Sequence, residues 1–314
     1  MKLSVLIPAY NLEKYIEETI RSICEQQTDF GYEVIVCDDA SPDGTAQIIR
    51  QLASEFDNLV PVIKKENGGL AENMKTLLLQ AKGEYIAYLD GDDVALPGKL
   101  QTQVDYLDNH PECGMVYHES DVFDSDTNQS IKRYSADHYN WEQIPEKSDI
   151  THLVRYGTYM QASSVMFRNH DNTQHTVLDD CRIILDYPFY VMNAGYLNGS
   201  IDFIPQVLGR YRMHENSFGA QTQKSVSRRI QSLHDIVTTC QHARQFIDDD
   251  TIIQQGIAHH HFAASLYFLF RHNDEQFLQQ IELASAAEHF FNSRHLLAWE
   301  NRHQPERARA LLAE

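Results

Sequence analysis

Short apolar runs alternate with helical apolar patterns through the first 110 residues of the chain. The runs lie at residues 2–7, 33–37, 60–64 and 85–89. Their length and apolar character are typical of buried β-strands. Between them, apolar residues recur at spacings of three and four at residues 12–24, 48–56 and 70–81. Strands that alternate with helices in this way predict a mainly parallel sheet with helices on both faces.

After residue 110 the predicted secondary structure changes twice along the chain. Further strands are predicted at residues 115–123, 163–168 and 203–208, and a helix at residues 185–194. Residues 124–150 are polar and are expected to form an irregular loop. From Ser225 onward helical periodicity dominates, which predicts a catalytic domain at 1–224 and a C-terminal domain of three to five helices at 225–314. The apolar stripes of these helices lead us to expect a homodimer or a contact with an acceptor complex.

Polar and aromatic residues follow three of the predicted strands, at residues 8–10, 38–39 and 90–93. Ligands of parallel sheets bind at the carboxyl ends of the strands, so these three loops predict one site. The Asp-Gly-Asp-Asp sequence at 90–93 directly follows a buried strand, and clustered carboxylates need a counter-charge. Mn²⁺ or Mg²⁺, held by one or two carboxylates together with a diphosphate, would supply it. The alternative is an acidic turn without a metal.

Composition and charge limit the remaining functions. The 314 residues include 26 Lys and Arg and 45 Asp and Glu, so the formal net charge of −19 argues against nucleic-acid partners and against a basic membrane-binding face. No stretch reaches the roughly 18 apolar residues of a membrane span, and the amino-terminal apolar run is too short for a signal peptide. Five scattered cysteines without a CxxC pattern favour a reduced, cytoplasmic protein. Peripheral contact at the inner face of the membrane is a further expectation.

The chain resembles the family 2 glycosyltransferases, which have the GT-A fold, a Rossmann-like sheet flanked by helices. Five motifs in order carry this resemblance, at residues 4–11, 36–45, 66–69, 90–93 and 97–100. Weaker similarity continues to residue 217 through segments 163–168, 185–190 and 211–214. The helices after residue 225 lie outside the core that the family shares.

The resemblance implies contacts with a nucleotide-sugar. The expected binding residues are Pro8, Ala9, Tyr10, Asp39, Asn67, Gly68, Asp90, Gly91 and Arg212. Among them, Tyr10 is expected to pack near the base, and Asp39 resembles the carboxylate that binds the uracil ring. The chain departs from many relatives in the segment after residues 67–69, where they have an arginine near the position of Glu72.

The resemblance also implies the groups that perform the chemistry. Asp90 and Asp92 are similar to the family's metal motif, with Asp92 the direct ligand and Asp90 nearer the ribose or the sugar. Asp186 takes the place of the catalytic base, although many relatives have an acidic pair where this chain has Leu185 and Asp186. His214 follows a predicted strand and is a further candidate for the metal or a structural role. Lys99 is interpreted as a solvated residue at the start of a helix.

These residues predict an inverting, metal-dependent transferase. It would move a sugar from a nucleotide-sugar, expected to be a UDP-sugar, to a hydroxyl group of a glycan, a lipid-linked acceptor or a polymer. A base on the face of the sugar opposite the leaving diphosphate requires inversion at the anomeric carbon. Two alternatives stay open at this point. A nucleotidyltransferase would need a glycine-rich phosphate loop that residues 8–15 lack, and a non-catalytic nucleotide-sugar-binding protein would not need Asp186.

Overall fold

The structure, a computed structural model, describes residues 1–215, 217, 222, 224–285 and 290–313. In these residues one mixed sheet runs through the protein in the order β3-β2-β1-β4-β9-β6-β10-β5, with β7 beside β6 and β8 beside β10. The strands are β1 (Leu3–Ala9), β2 (Tyr32–Asp38), β3 (Leu59–Ile63), β4 (Tyr85–Tyr88), β5 (Val94–Ala95), β6 (Cys113–Asp124), β7 (Ser130–Arg133), β8 (Lys147–Ser148), β9 (Val165–Arg168) and β10 (Ser200–Met213).

The sheet is mainly parallel, as predicted. Strands β3, β2, β1 and β4 pair in parallel, and so do β6 and β10. Strand β9 inserts between β4 and β6 antiparallel to both. The expectation of an irregular loop at 124–150 is wrong in part, because β7 and β8 form there and extend the sheet edges. Their few residues carry little apolar signal, since β7 is exposed along its whole length.

Helices cover both faces of the sheet. They are α1 (Ile16–Cys24), α2 (Thr45–Leu52), α3 (Gly69–Gln80), α4 (Lys99–Asn109), α5 (Ile150–Tyr156) and α6 (Asp186–Leu197). Successive residues of a strand point to opposite faces. Accordingly, Leu6 of β1 joins the core that includes residues of α3 and α6, whereas Val5 and Ile7 join the core that includes residues of α1, α2 and α4.

The end of the chain is helical. Its helices are α7 (Val226–His242), α8 (Asp250–Leu269), α9 (Asp274–Ala284), α10 (Ser293–Glu300) and α11 (Pro305–Leu312). Cys240 and Ile253 share a core with Tyr187 of α6, so α7 and α8 pack directly on the sheet domain. The later helices enclose a separate core around Phe268. Within the described residues, no helix combines the length and hydrophobicity needed to cross a membrane.

Candidate active site

The turn after β4 is packed tightly against the amino-terminal part of the chain. A Cβ atom added to Gly91 would lie 2.6 Å from Leu12 Cδ1 and 2.9 Å from the carbonyl oxygen of Pro8, so the turn needs glycine at this position. The Thr19 hydroxyl donates to the carbonyl oxygens of Gly91, at 3.0 Å, and of Asp93, at 2.8 Å. Helix α1 therefore fixes the backbone that presents Asp90 and Asp92.

Asp93 supports this turn from inside the protein. Its buried carboxylate accepts hydrogen bonds from the Ser163 hydroxyl at 2.6 Å, the Gln161 amide at 2.8 Å and the Arg212 backbone N–H at 2.9 Å. Ser163 Oγ in turn accepts the backbone N–H of Asp90 at 2.8 Å. The third carboxylate of the motif is thus used to hold the turn, while the other two face a cavity.

Asp90, Asp92 and Asp186 line one cavity of about 280 Å³. Burial and the nearby Asp92 carboxylate raise the pKa of Asp90 to about 7, although the Tyr88 hydroxyl donates to it at 2.6 Å. A cation bound beside these two carboxylates would favour their ionised forms and offset this rise. The same cavity is also lined by Tyr88, Tyr134, Gln161, Tyr190 and Tyr211, of which the sequence motifs identified none as site residues.

Arg212 and His214 flank Asp92 at the end of β10. Nε2 of His214 lies 2.9 Å from Asp92 Oδ2, and its ring packs at 4.7 Å from that of Tyr15. The Arg212 guanidinium donates to the backbone carbonyl of Asp92 at 2.7 Å and to Glu18 at 2.6 Å. Arg212 therefore holds the turn in this arrangement, and its contact with a diphosphate stays a prediction.

The donor set around Asp92 fits a hard divalent cation. The described residues contain no group of three or more His, Cys, Asp or Glu side chains that could by itself hold a metal ion. Mg²⁺ is usually bound by one or two carboxylates together with substrate phosphates, so a partial protein site is what this chemistry needs. Asp92 supplies a carboxylate, Asp90 a second one in the same cavity, and His214 an imidazole nitrogen in contact with the first.

Asp39 links the end of β2 to the start of α3. Its carboxylate accepts the backbone N–H groups of Gly68, at 3.0 Å, and Gly69, at 2.7 Å, and pairs with Lys64 at 2.5 Å. The side chain of Asn67 donates to the Asp39 carbonyl at 3.0 Å. The predicted residues Asp39, Asn67 and Gly68 are therefore one hydrogen-bonded cluster, and a contact of Asp39 with uracil stays a prediction.

The segment after β1 lies beside this cluster. The carbonyl oxygen of Ala9 accepts the backbone N–H of Asp39 at 2.9 Å, which joins the ends of β1 and β2. Tyr10 follows and is half exposed, with 50% of its surface accessible. The packing of Tyr10 against a nucleotide base stays a prediction. Pro8, Ala9 and Tyr10 do not line the cavity that Asp186 faces.

Asp186 is the first residue of α6 and is open to the cavity. Its Oδ1 accepts the backbone N–H of Tyr187 at 2.8 Å. Surrounding protein atoms displace much of the water around the carboxylate, and this desolvation raises its pKa above the ordinary aspartate value despite that hydrogen bond. A carboxylate with a raised pKa is a better proton acceptor than a free aspartate.

Comparison with known protein families identifies the chain. Residues 4–174, more than half of it, match the family model described as "Glycosyl transferase family 2". The chain belongs to glycosyl transferase family 2. The resemblance inferred from the five sequence motifs is thereby confirmed.

Relatives of this family 2 chain include proteins of several bacteria. An uncharacterized protein of Mycobacterium tuberculosis is 33% identical over 217 residues, which cover 68% of this chain and 59% of that protein. The putative glycosyltransferase EpsE of Bacillus subtilis is 40% identical over 124 residues, covering 39% of this chain and 44% of EpsE. The chain thus spans less than two thirds of the length of these curated relatives.

Solved structures share the fold over nearly the whole family 2 chain. Staphylococcus aureus TarS 1–349 in complex with UDP-GlcNAc has a TM-score of 0.64 at 19% identity, covering 99% of this chain and 88% of that one. The mannosyltransferase PcManGT from Pyrobaculum calidifontis, in complex with GDP-Man and Mn²⁺, has a TM-score of 0.62 at 18% identity, covering 99% and 87%. The predicted fold class, a GT-A sheet followed by helices, is confirmed.

Lys99 of the family 2 motif at 97–100 is fully buried, and its interpretation as a solvated residue is wrong. Its ammonium group donates to His118 Nε2 at 2.7 Å, the Ser163 carbonyl at 2.8 Å and Gln103 Oε1 at 3.1 Å. Burial lowers the pKa of Lys99 to about 7, which the negative charge of Asp93 partly offsets. The residue supports Ser163, which in turn holds the turn at 90–93.

Replacing Lys99 with Met should destabilise the fold by about 2–4 kcal/mol, because it leaves several buried acceptors without a donor. Urea denaturation measures this loss as a lower midpoint at an unchanged slope. Lys82→Met, at an exposed position, is the matched control and should shift the midpoint little. A Lys99→Met midpoint equal to that of the control would show that the buried network does not stabilise the protein.

A second residue that sequence reasoning missed lies in α7. Asp235 is fully buried, and its Oδ2 accepts the backbone N–H groups of Arg182 at 3.1 Å, Ile183 at 2.6 Å and Ile184 at 3.0 Å. The side chain of Gln231 donates to Oδ1 at 2.8 Å. The C-terminal helices therefore hold the segment that leads into Asp186. No local sequence signal predicts this contact, because the two segments lie about fifty residues apart.

Proposed function

We propose that the chain is an inverting glycosyltransferase that moves a sugar from a UDP-sugar to a hydroxyl acceptor with the help of a divalent metal ion. The observation that carries this proposal is the cavity lined by Asp90, Asp92 and Asp186. It places two carboxylates from the turn after β4 and a third from the start of α6 around one space. Transfer needs a cation site at the leaving group and a base at the acceptor, and this arrangement offers both.

Asp92 would hold the metal, with Asp90 and His214 as the neighbouring candidates. When bound, Mn²⁺ or Mg²⁺ supplies Lewis-acid stabilisation of the negative charge that develops on the diphosphate. The cluster of Asp39, Asn67 and Gly68 with Tyr10 would bind the nucleoside. Arg212, through its hydrogen bond to the Asp92 carbonyl, would keep the turn in place while the diphosphate binds.

Asp186 would accept the proton of the acceptor hydroxyl as its oxygen attacks the anomeric carbon. The new glycosidic bond forms as the bond to the diphosphate breaks, and the proton passes to Asp186. Because the base and the leaving group lie on opposite faces of the sugar, a single displacement inverts the anomeric centre. The N–H of Tyr187 donates to Asp186 Oδ1, and this hydrogen bond orients the carboxylate.

The choice of donor and acceptor rests on relatives. TarS of Staphylococcus aureus is named a poly(ribitol-phosphate) β-N-acetylglucosaminyltransferase and is 35% identical over 113 residues. Its structure with UDP-GlcNAc favours UDP as the nucleotide, whereas PcManGT was solved with GDP-Man. We therefore infer a UDP-sugar donor and an acceptor in surface glycan or polymer synthesis, with GDP-sugars as the competing donors.

The remaining parts of the proposal concern location and assembly. All five cysteines are free and buried, which agrees with a reduced cytoplasmic compartment. We infer that the protein works in the cytoplasm, at the inner face of the membrane when its acceptor is membrane-bound. A boundary near residue 225 and a homodimer through the C-terminal helices also stay proposals. Light scattering of the full chain tests the dimer, and a monomer would exclude it.

Nucleotide specificity can be tested by the thermal unfolding midpoint of the full chain with UDP, GDP, CDP and ADP, each with MnCl₂ or with EDTA. UDP with Mn²⁺ should raise the midpoint most, because a ligand at a hundredfold excess over its Kd stabilises the native state by about 2.7 kcal/mol. A larger shift with GDP would replace the donor assignment and leave the transferase assignment intact. If none of the four nucleotides raises the midpoint above that of the nucleotide-free protein, nucleotide-sugar binding is contradicted.

A further inference from the structure

One wall of the active-site cavity is apolar. Its side chains come from the first half of α3, the segment before α6 and the first turn of α6: Leu70, Met74, Val177, Ile183, Ile184, Leu185 and Phe189. The charged groups of the cavity are Asp90 and Asp92 on the turn after β4, and Asp186. We propose that this apolar wall is a subsite for a hydrocarbon substituent that the acceptor carries close to its reacting hydroxyl.

Part of this wall lies outside the apolar core clusters. Ile183 and Leu185 are only partly buried, and they belong to none of the apolar core clusters formed by the described residues. Leu70 keeps 37% of its surface exposed. By contrast, Met74 and Phe189, which also line the cavity, are buried and belong to the sheet core. The wall therefore presents apolar surface to the cavity, and covering that surface with a hydrocarbon group is favourable.

The wall is built on a fixed backbone. The segment from Arg182 to Ile184 directs three successive N–H groups at one oxygen of Asp235, which is fully buried. If the segment moved away, this carboxylate would be left buried without those donors, which is costly. A subsite that is already formed binds its ligand without the cost of ordering a loop. Helix α7 therefore contributes to the active site through Asp235.

The position of the wall points to the acceptor as its ligand. Ile184 and Leu185 directly precede Asp186, and Asp186 must contact the acceptor hydroxyl if the proposed glycosyl transfer is correct. The diphosphate of the donor carries charge and belongs with Asp92 and the metal. The hydrocarbon group that the wall covers is therefore attached to the acceptor, and the chemical class is a hydroxyl compound with an alkyl or prenyl chain.

Two glycosides that differ only in the aglycone test this subsite. Binding of n-octyl β-D-glucopyranoside and methyl β-D-glucopyranoside to the full chain is measured by calorimetry, below the micelle concentration, with and without UDP and MnCl₂. The octyl glycoside should bind at least tenfold more tightly, since the burial of two methylene groups is enough for that ratio. Equal affinities would overturn the proposal.

Three variants show whether the preference arises at this wall. Leu185→Ser removes an apolar side chain from the wall and places a favourable residue at the N-cap of α6, so folding should be preserved. It should reduce severalfold the octyl preference, which is the ratio of the affinity for the octyl glycoside to that for the methyl glycoside. Ile183→Ser should do the same. Leu79→Ser, at a position of α3 with 62% exposure, is the control and should keep the preference. A preference that survives both wall substitutions would overturn the proposal.

Asp235→Asn tests the support of the wall. It keeps the size of the side chain but weakens the acceptor for three N–H groups, so the octyl preference should fall while binding of UDP with Mn²⁺ is unchanged. An unchanged preference would overturn the role of Asp235. The two proposals can fail separately. Absence of UDP binding to the wild-type protein would contradict the transferase proposal, whereas the glycoside comparison without UDP would still test the apolar wall.

Discussion

Replacing Asp186 with Asn should lower kcat for sugar transfer by about a thousandfold, in the middle of the range found for general-base catalysis. The amide has the same shape and can still accept the Tyr187 N–H, but it cannot take a proton from the acceptor hydroxyl. UDP binding should be unchanged, because the residues proposed to bind the nucleoside, Asp39, Asn67 and Gly68, do not line the cavity that Asp186 lines. Initial rates at saturating UDP-sugar and metal, together with the Kd of UDP, separate the two effects.

Asp171→Asn, at an exposed position before α6, is the matched control and should retain wild-type rates. The pH dependence gives a second readout. Only the ionised carboxylate acts as a base, and desolvation by the surrounding protein raises the pKa of Asp186. The wild-type rate should therefore fall on acidification at a pH above the ordinary aspartate pKa, and the residual rate of Asp186→Asn should lack that step. A kcat within threefold of wild type for Asp186→Asn would show that another group is the base.

The parts of the fold that depend on local patterns could be predicted from the sequence. The strands β1 and β4 are buried throughout and β2 is buried except at its first residue, so apolar content alone identified them. The motif at 90–93 lies just after β4, where the strand pattern predicts ligand-binding loops, and Asp90 lines the same cavity as Asp186. Strand β7 was missed because all four of its residues are exposed and, within the described part of the chain, it pairs with β6 alone, so it carries no apolar pattern.

The supporting contacts could not be predicted, because they join segments that are distant in the chain. Lys99 contacts Ser163 across 64 positions, and Asp235 contacts Ile183 across 52. A charged residue at the start of a helix normally faces solvent, and only the tertiary structure shows that the Lys99 side chain is buried against the 162–164 turn. The apolar wall was also missed, since isolated apolar residues before a helix resemble ordinary core positions.

Replacing Asp92 with Asn should abolish the dependence of UDP binding on Mn²⁺ and lower the transfer rate by about a thousandfold. The amide keeps the size of the side chain and a contact with His214, but it removes the negative charge that would hold the cation. Loss of Lewis-acid stabilisation is worth several kcal/mol, and each 1.36 kcal/mol is about tenfold in rate. The thermal midpoint with UDP should then be the same in MnCl₂ and in EDTA.

Substitutions of other carboxylates show whether this result is specific to Asp92. Asp126→Asn, at an exposed turn outside the site, should keep the full Mn²⁺ effect. Asp93→Asn should lower stability instead, because Asp93 is buried and its carboxylate accepts from Ser163, Gln161 and the Arg212 backbone. If the Mn²⁺ effect survives in Asp92→Asn but disappears in Asp90→Asn, then Asp90 is the direct ligand. If it survives in both, the cation binds elsewhere.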